Sequence, residues 1–331
     1  MKEDPAITPD ACTPTAAQSE LPKRHWLVAA LAASISGAMA AACYWPLDWH
    51  FLAWIALVPW FCTLPGLSPG RTWVFGTLMG LVFYRIGFDW MFGLHGPLAG
   101  ASIVGFAILM GYSFRVARML MQRFGTGAML WAAPLCFVGQ EVLRSEGLDR
   151  FRFSYLGLGY SQSENLWIAQ VASIGGVYCV SFLLVALNAA IAYGLIRRRA
   201  RSWVPAAATG VCIVALAAIA QPPADDGAAR IPVACVQGED LAYQKFLDMT
   251  AEAAMGTPKP RIIVLPEHTI MGFANDRHPT VKSLAALAVE HGVYICVGVH
   301  VRPTEPGGCD YDNAALLIDP NGEIAATQLK A

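Results

Sequence analysis

The sequence predicts a polytopic helical membrane bundle followed by a water-facing α/β domain. Three observations predict it. From Trp26 to Ala220 the chain is a series of long apolar runs, with charges confined mostly to the gaps. From Arg230 to Ala331 short Val/Ile-rich segments alternate with amphipathic stretches, as in a domain with one buried face. Overall, 56% of the residues are hydrophobic and 14% charged, against roughly 25% charged in ordinary soluble domains. A length of 331 residues leaves room for both parts.

Residues 1–22 carry Pro, Thr, Ala and acids without periodicity and are expected to form a disordered tail on the cytoplasmic side. Lys23-Arg24, an apolar run and Ala38-Met39-Ala40 imitate a secretory leader with its cleavage site. Further apolar runs follow, so this one is expected to be a retained first helix whose small residues pack against neighbours. A span needs about 20 apolar residues. Seven runs qualify within a membrane domain at 23–221: 26–45, 51–66, 72–93, 98–114, 126–143, 168–196 and 202–220. The sixth is too long for one straight crossing, and Gly175-Gly176 is expected to mark its entry.

Lys and Arg accumulate on the cytoplasmic side of short loops. With the N-terminus inside, the inner gaps hold ten such residues (Lys23, Arg24, Arg71, Arg115, Arg118, Arg123, Arg197, Arg198, Arg199 and Arg201) against three (Arg144, Arg150 and Arg152) in the outer gaps. Seven spans then place the part after residue 221 outside, which in a bacterium is the periplasmic face of the inner membrane.

In the soluble part, at 229–331, residues 230–236 and 261–265 read as strands separated by a helix at 241–255. A helix at 280–291, with Val281, Leu284, Leu287 and Ala288 on one side, leads to a strand at 293–299. Asn313–Asp319 and Glu323–Gln328 flank Pro320-Asn321-Gly322, a turn suited to a hairpin. This order implies a mixed sheet with helices packed on it.

A net charge of −1 provides no basic face for nucleic acid. The nine cysteines are scattered without C-x-x-C pairs or zinc-type spacing, so neither a disulfide framework nor a metal or other cofactor is expected. Arg85 and Asp89 are four apart in the third run and able to pair. Either a structural ion pair or a functional polar site at membrane depth fits them. Glu267 follows a strand and Pro266, at a strand end where α/β active sites gather; an ordinary exposed loop glutamate fits the position as well. His268, Cys309 (in a Gly-Gly-Cys-Asp loop) and Lys330 have nothing in their spacing that separates them from surface or turn residues.

Taken together in order, several short motifs resemble a known family. Glu141-Val142-Leu143-Arg144, Gly159-Tyr160-Ser161-Gln162 and Gly175-Gly176-Val177-Tyr178-Cys179-Val180-Ser181-Phe182 are followed by Val236-Gln237-Gly238, Leu265-Pro266-Glu267 and Asp319-Pro320-Asn321-Gly322-Glu323. From about residue 26 onward the chain resembles the apolipoprotein N-acyltransferases, membrane-embedded members of the nitrilase (carbon–nitrogen hydrolase) superfamily. The resemblance implies a nitrilase-like αββα sandwich, incomplete here, and a Glu/Lys/Cys triad. Glu267 matches the general base, although the Trp of the usual W-P-E is Leu265. Lys330 matches the lysine, although the usual aromatic two residues earlier is Gln328. The nucleophilic Cys would come after the lysine, so the chain is expected to be a fragment or a natural truncation. Glu141, Arg144, Tyr160, Gln162, Tyr311 and Asn313 are implied as substrate-contacting.

The implied partners are a phospholipid acyl donor and a lipoprotein or other amine acceptor. Burial beside the strand end would raise the Glu267 pKa toward neutrality. A plasmid-borne conjugal-transfer branch called TraB fits the same motifs, with the conjugation machinery as partner and the domain serving for contacts. A transporter with an extracytoplasmic domain is a further alternative, although the inverted repeats it would favour are not seen.

Overall fold

The computed structural model describes residues 23–147, 153–221, 230–238, 242–273, 277–302 and 311–330. The predicted tail at 1–22, Arg150, Arg152 and Cys309 lie outside the described residues. The chain divides into two units, Met1–Pro223 and Ala224–Ala331.

The first unit is helical. Its helices are α1 (Lys23–Ala41), α2 (Val58–Thr63), α3 (Pro69–Gly87), α4 (Met91–His95), α5 (Pro97–Phe124), α6 (Met129–Val142), α7 (Leu166–Ala169), α8 (Ala172–Arg197) and α9 (Val204–Ile219). Among the described residues, three segments are both long and apolar enough to cross a membrane: Pro97–Phe124, Ala172–Arg197 and Ala200–Ile219. α3 packs closely against α5. A Cβ on Gly111 would lie 2.6 Å from the Trp73 carbonyl oxygen, so only glycine lets these backbones meet. Around that contact Trp60, Phe61, Tyr84, Phe88 and Phe114 are fully buried. α8 leaves helical geometry at Gly175 and Gly176, the latter at φ +68°, where the sequence predicts the sixth span to begin.

Two expectations need correction here. The run 51–66 is not one spanning helix but a 3₁₀ turn at His50–Trp54, six residues of α2 and a second 3₁₀ turn at Leu64–Gly66. Backbone groups freed by such a break must be satisfied inside the bundle. Asn188 of α8 does this: its Oδ1 accepts from Leu57 N (2.9 Å) and its Nδ2 donates to Ala53 O (2.9 Å) and Leu184 O (2.8 Å). Ser36 Oγ accepts from Trp60 N at 3.1 Å. Secondly, Arg115, Arg118 and Arg123 belong to the last turns of α5, not to a loop. Arg118 reaches back to the carbonyls of Leu67 (2.7 Å) and Pro65 (3.2 Å), closing the end of the broken segment.

In the second unit β1 (Val233–Cys235), β2 (Ile262–Val264), β4 (Tyr294–Val301), β5 (Asp312–Ile318) and β6 (Ile324–Leu329) form one sheet in that order, and β3 (Ile270–Phe273) also pairs with β4. β1, β2, β3 and β4 run parallel; β4–β5 and β5–β6 are antiparallel. The sequence reading lacks β3. Helices α10 (Tyr243–Ala254) and α11 (Pro279–His291) cover one face. Strand side chains alternate between faces. Ile295, Val297 and Val299 of β4 and Ala314, Leu316 and Ile318 of β5 therefore join Phe246, Val281, Leu284 and Ala288 in the core. Cys296, Gly298 and His300 fall on the opposite face.

The β5–β6 turn is closed by Asp319. Its Oδ1 accepts from the amides of Asn321 and Glu323, each at 2.9 Å, and its own amide donates to Glu323 O at 2.9 Å. Gly322, at φ +84°, takes the left-handed position of the turn.

Candidate active site

Glu267 stands in an interruption of one strand line. β2 ends at Val264, the chain turns through residues 265–269, and β3 resumes alongside the same neighbour, β4. The turn is tied down at three points: Leu265 N donates to Cys296 O (2.8 Å), Gly298 N to Pro266 O (3.3 Å), and Thr269 Oγ1 to Pro266 O (2.7 Å). His268 adopts φ +58°, a conformation that His tolerates better than most residues.

The antiparallel register then delivers the partners. His300 on β4 faces Asn313 on β5, and the Lys330 amide donates to Asn313 O at 2.8 Å just beyond β6. Three neighbouring strands therefore present His300, Asn313 and Lys330 in one lateral row, with Glu267 beside it. Lys330 Nζ lies 2.7 Å from Glu267 Oε1, and Asn313 Nδ2 donates to the same oxygen. Tyr311, two residues before Asn313 on the same face, stacks on His300 with ring centroids 3.6 Å apart. A cavity of about 370 Å³ opens next to Glu267, Asn313 and Lys330, with Cys296, Gly298 and Gln328 also in its walls.

The electrostatics correct one expectation. The Glu267 side chain is half exposed, and the hydrogen bond from Lys330 holds its carboxyl below the usual glutamate range, with Asn313, the Lys330 charge and His268 acting in the same direction. Desolvation works the other way but is outweighed, because little of the carboxylate is removed from water. Burial pushes the Cys296 thiol up. Cys296 is a site-lining residue that sequence reasoning passes over; its alternation with Ile295 and Val297 is the signal that places it on the Glu267 face.

The remaining predicted residues belong to the first unit. Glu141, Arg144 and Gln162 belong to the helical unit and are buried; each bonds backbone groups, while Glu141 Oε2, Arg144 Nε and Nη2 and Gln162 Oε1 have no hydrogen-bond partner among the described residues. Glu141 Oε1 accepts from Leu158 N (2.6 Å), and Arg144 Nη1 donates to Phe153 O and Tyr155 O (2.6 Å each). Gln162 Nε2 donates to His50 O (2.9 Å), and Ser181 Oγ accepts from Gly159 N (2.8 Å). They fasten residues 153–162 to the bundle. Tyr160, in that segment, is the member of the set that is exposed. Arg85 and Asp89 form the expected pair at 2.6 Å, both solvent-exposed.

Residues 36–190 match the family described as the apolipoprotein N-acyltransferase N-terminal domain, and residues 216–331 match carbon-nitrogen hydrolase. An apolipoprotein N-acyltransferase of Geobacter metallireducens is 25% identical over 331 residues, covering 92% of this chain and 62% of that protein. One from Methylococcus capsulatus is 26% identical over 318 residues, covering 88% and 61%. One from Gloeobacter violaceus is 29% identical over 190 residues, covering 54% and 36%. The chain thus spans less than two thirds of the length of each of these relatives. None of these matches supports the conjugal-transfer alternative. With the two domain families matched in this order, on a helical unit followed by a mixed sheet carrying Glu267 and Lys330, the chain is similar to the apolipoprotein N-acyltransferases of the carbon–nitrogen hydrolase superfamily over most of its length.

Proposed function

We propose that this chain is a membrane-bound N-acyltransferase that moves an acyl chain from a phospholipid to the amino terminus of a lipoprotein through a cysteine thioester. The observation that carries this reading is the 2.7 Å contact of Lys330 with Glu267 in a carbon–nitrogen hydrolase domain joined to the family's membrane domain. We place the protein in the bacterial inner membrane with the second unit on the periplasmic side, on the Lys/Arg bias of the gaps and with the broken segment 50–66 counted as the second of seven crossings.

In the first half-reaction Glu267 accepts the proton of a cysteine thiol, the residue that the resemblance puts after Lys330 in chain order. The thiolate attacks the ester carbonyl, the S–C bond forms, the C–O bond breaks, and the departing alkoxide takes the proton from Glu267. In the second, an amine attacks the thioester, N–C forms, S–C breaks, and Glu267 carries an amine proton to the thiolate. Splitting the transfer in this way replaces one difficult step with two easier ones.

Lys330 is placed for both oxyanions, and a positioned donor there contributes on the order of 3 kcal/mol. The same lysine lowers the basicity of Glu267 at rest. As Lys330 turns to a developing oxyanion, Glu267 loses that partner and its proton affinity rises when it must accept. In the helical unit an apolar groove of about 400 Å³ between Leu81, Val82, Phe92, Ile103 and Val104, with Arg85 on its rim, suits an acyl chain.

The test is transfer of a labelled acyl chain from phospholipid to a diacylated lipopeptide by membranes containing the gene product. Transfer that depends on Glu267 and Lys330 supports the reading. Wild-type transfer by Glu267→Gln would show that the resemblance is architectural only.

A further inference from the structure

The amine acceptor poses a problem that Glu267 alone does not solve. An α-amino group titrates at about 7.7–8.0, so near neutral pH it arrives mostly as ammonium. One proton must leave before nitrogen can attack; a second leaves from the tetrahedral intermediate and is carried by Glu267. A base for the first proton must stand beside Glu267 and be connected to solvent.

Two histidines meet that requirement. His268 directly follows Glu267, and its Nε2 lies 3.7 Å from Glu267 Oε1. Its other nitrogen, Nδ1, is 2.5 Å from His300 Nε2. The rings are nearly perpendicular, with centroids 4.8 Å apart, and Tyr311 stacks on the far face of His300. A direct nitrogen–nitrogen contact of this length requires one proton between the rings, one nitrogen donating and the other accepting. The Glu267 carboxylate selects the tautomer that turns Nε2–H of His268 toward it, leaving Nδ1 to accept from His300. The pair therefore has room for one added proton, shared as imidazole–imidazolium, whereas a second would set two cations against each other. The titratable groups facing the pair are Glu267 on the same turn, Tyr311 on the segment entering β5, and Lys330 beyond Glu267; Arg302 and Asp312 flank these strands. The rings are partly exposed, so the proton has a way out.

We infer that His268 and His300 form a shared-proton pair that takes the first proton from the acceptor's ammonium group beside Glu267 and passes it to solvent. This rests on the acyl-transfer reading above. The balance closes: ammonium and neutral pair give amine and protonated pair; the amine attacks the thioester; its second proton reaches the thiolate through Glu267; and the pair releases one proton to water. Desolvation, and after it the neighbouring His268, lower the His300 pKa, which keeps that ring neutral and able to accept a proton.

Two measurements on the full-length gene product in nanodiscs test this. Diethyl pyrocarbonate labels neutral imidazole, and peptide mass spectrometry reads each histidine across roughly pH 5 to pH 8. His268→Asn keeps a residue type that tolerates the left-handed backbone. It should raise the labelling midpoint of His300, and an unchanged midpoint would overturn the pairing. Secondly, acyl transfer at about pH 6.5 is compared for a lipopeptide amine, mostly ammonium there, and for trifluoroethylamine, already neutral. His268→Asn and His300→Gln should each slow transfer to the lipopeptide by roughly tenfold, toward the lower end of what a positioned base contributes. Transfer to trifluoroethylamine should fall less than about twofold, because that amine has no first proton to lose. Equal losses with both acceptors would mean that the histidines only hold the fold and would overturn the inference. No transfer by the wild-type gene product to either acceptor would instead sink the acyl-transfer reading, while the labelling result would still stand by itself.

Discussion

Gly298 lies directly against Glu267: a Cβ built on it would stand 2.6 Å from Glu267 Cα and 2.5 Å from the Pro266 carbonyl oxygen. The missing side chain on β4 is what allows the 265–269 turn to settle on the sheet and hold the carboxylate in reach of Lys330. Gly298→Ala is expected to push the turn outward and lower stability by about 1–3 kcal/mol, as overpacking does. Acyl transfer should fall further than the stability change accounts for. A variant that melts lower yet transfers at the wild-type rate would count against this geometry.

Glu267→Gln preserves shape and removes the base, so transfer should fall roughly 10²–10⁴-fold. Lys330→Met should cost roughly 10²–10³-fold through the lost oxyanion donor. Glu290→Gln, on the exposed side of α11, should be silent. Labelled acyl chain in the lipopeptide, normalised to folded protein by circular dichroism, is the measurement.

The folded-state pKa of Glu267 is depressed, chiefly by Lys330. The pair therefore stabilises the fold above the unfolded glutamate pKa of about 4.3, and that contribution fades as pH falls through the lower folded value. Both side chains are more than half exposed, so the amount is small, within about 1 kcal/mol. Carbodiimide labelling against pH should place the Glu267 midpoint below that of an ordinary glutamate. In Lys330→Met the midpoint should move up; a midpoint that stays put would mean that Lys330 is not the cause.

Much of this was legible in the sequence, and the misses have physical reasons. Val/Ile alternation located β2, β4, β5 and β6, and the Pro-Asn-Gly turn located the hairpin. β3 was invisible because Ile270–Phe273 is short, lacks alternation, and exists only through its pairing with β4. Hydropathy counted 51–66 as a span because it counts apolar side chains and not backbone hydrogen bonds; the partner that makes the break tolerable, Asn188, is 131 residues away from Leu57. The motifs single out Glu141, Arg144 and Gln162, but the backbone groups that they bond, at Leu158, Phe153, Tyr155 and His50, follow only from the tertiary fold. The Glu267 shift was misjudged because a strand end suggested burial, whereas the turn lifts the carboxylate into water beside a lysine.

Asn188→Leu should leave Leu57 N–H and Ala53 C=O buried without their partner. Each such group costs about 1–3 kcal/mol, so the first unit should lose roughly 2–4 kcal/mol. Thermal unfolding in detergent, with thiol labelling of Cys62 in the same segment, reports it. An unchanged melting profile would mean that the broken segment is satisfied otherwise.

Orientation is tested by reporter fusions after Arg199 and after Asp225, expected to give cytoplasmic and periplasmic signals respectively. The reverse pattern would invert the membrane placement and remove the basis for putting Glu267 and Lys330 outside.

The Asp319 turn acts on the site as a gauge, although it touches none of the site's side chains. Because neighbouring positions on β6 point to opposite sides of the sheet, the number of residues in that turn decides whether Lys330 emerges beside Glu267 or among the helices. A single insertion between Asp319 and Glu323 would leave Glu267 and Lys330 both in the sequence and still transpose the lysine. The chemistry of this fold is thus set partly by a count, and a family alignment that is blind to one-residue gaps there would credit a disarmed chain with an intact site.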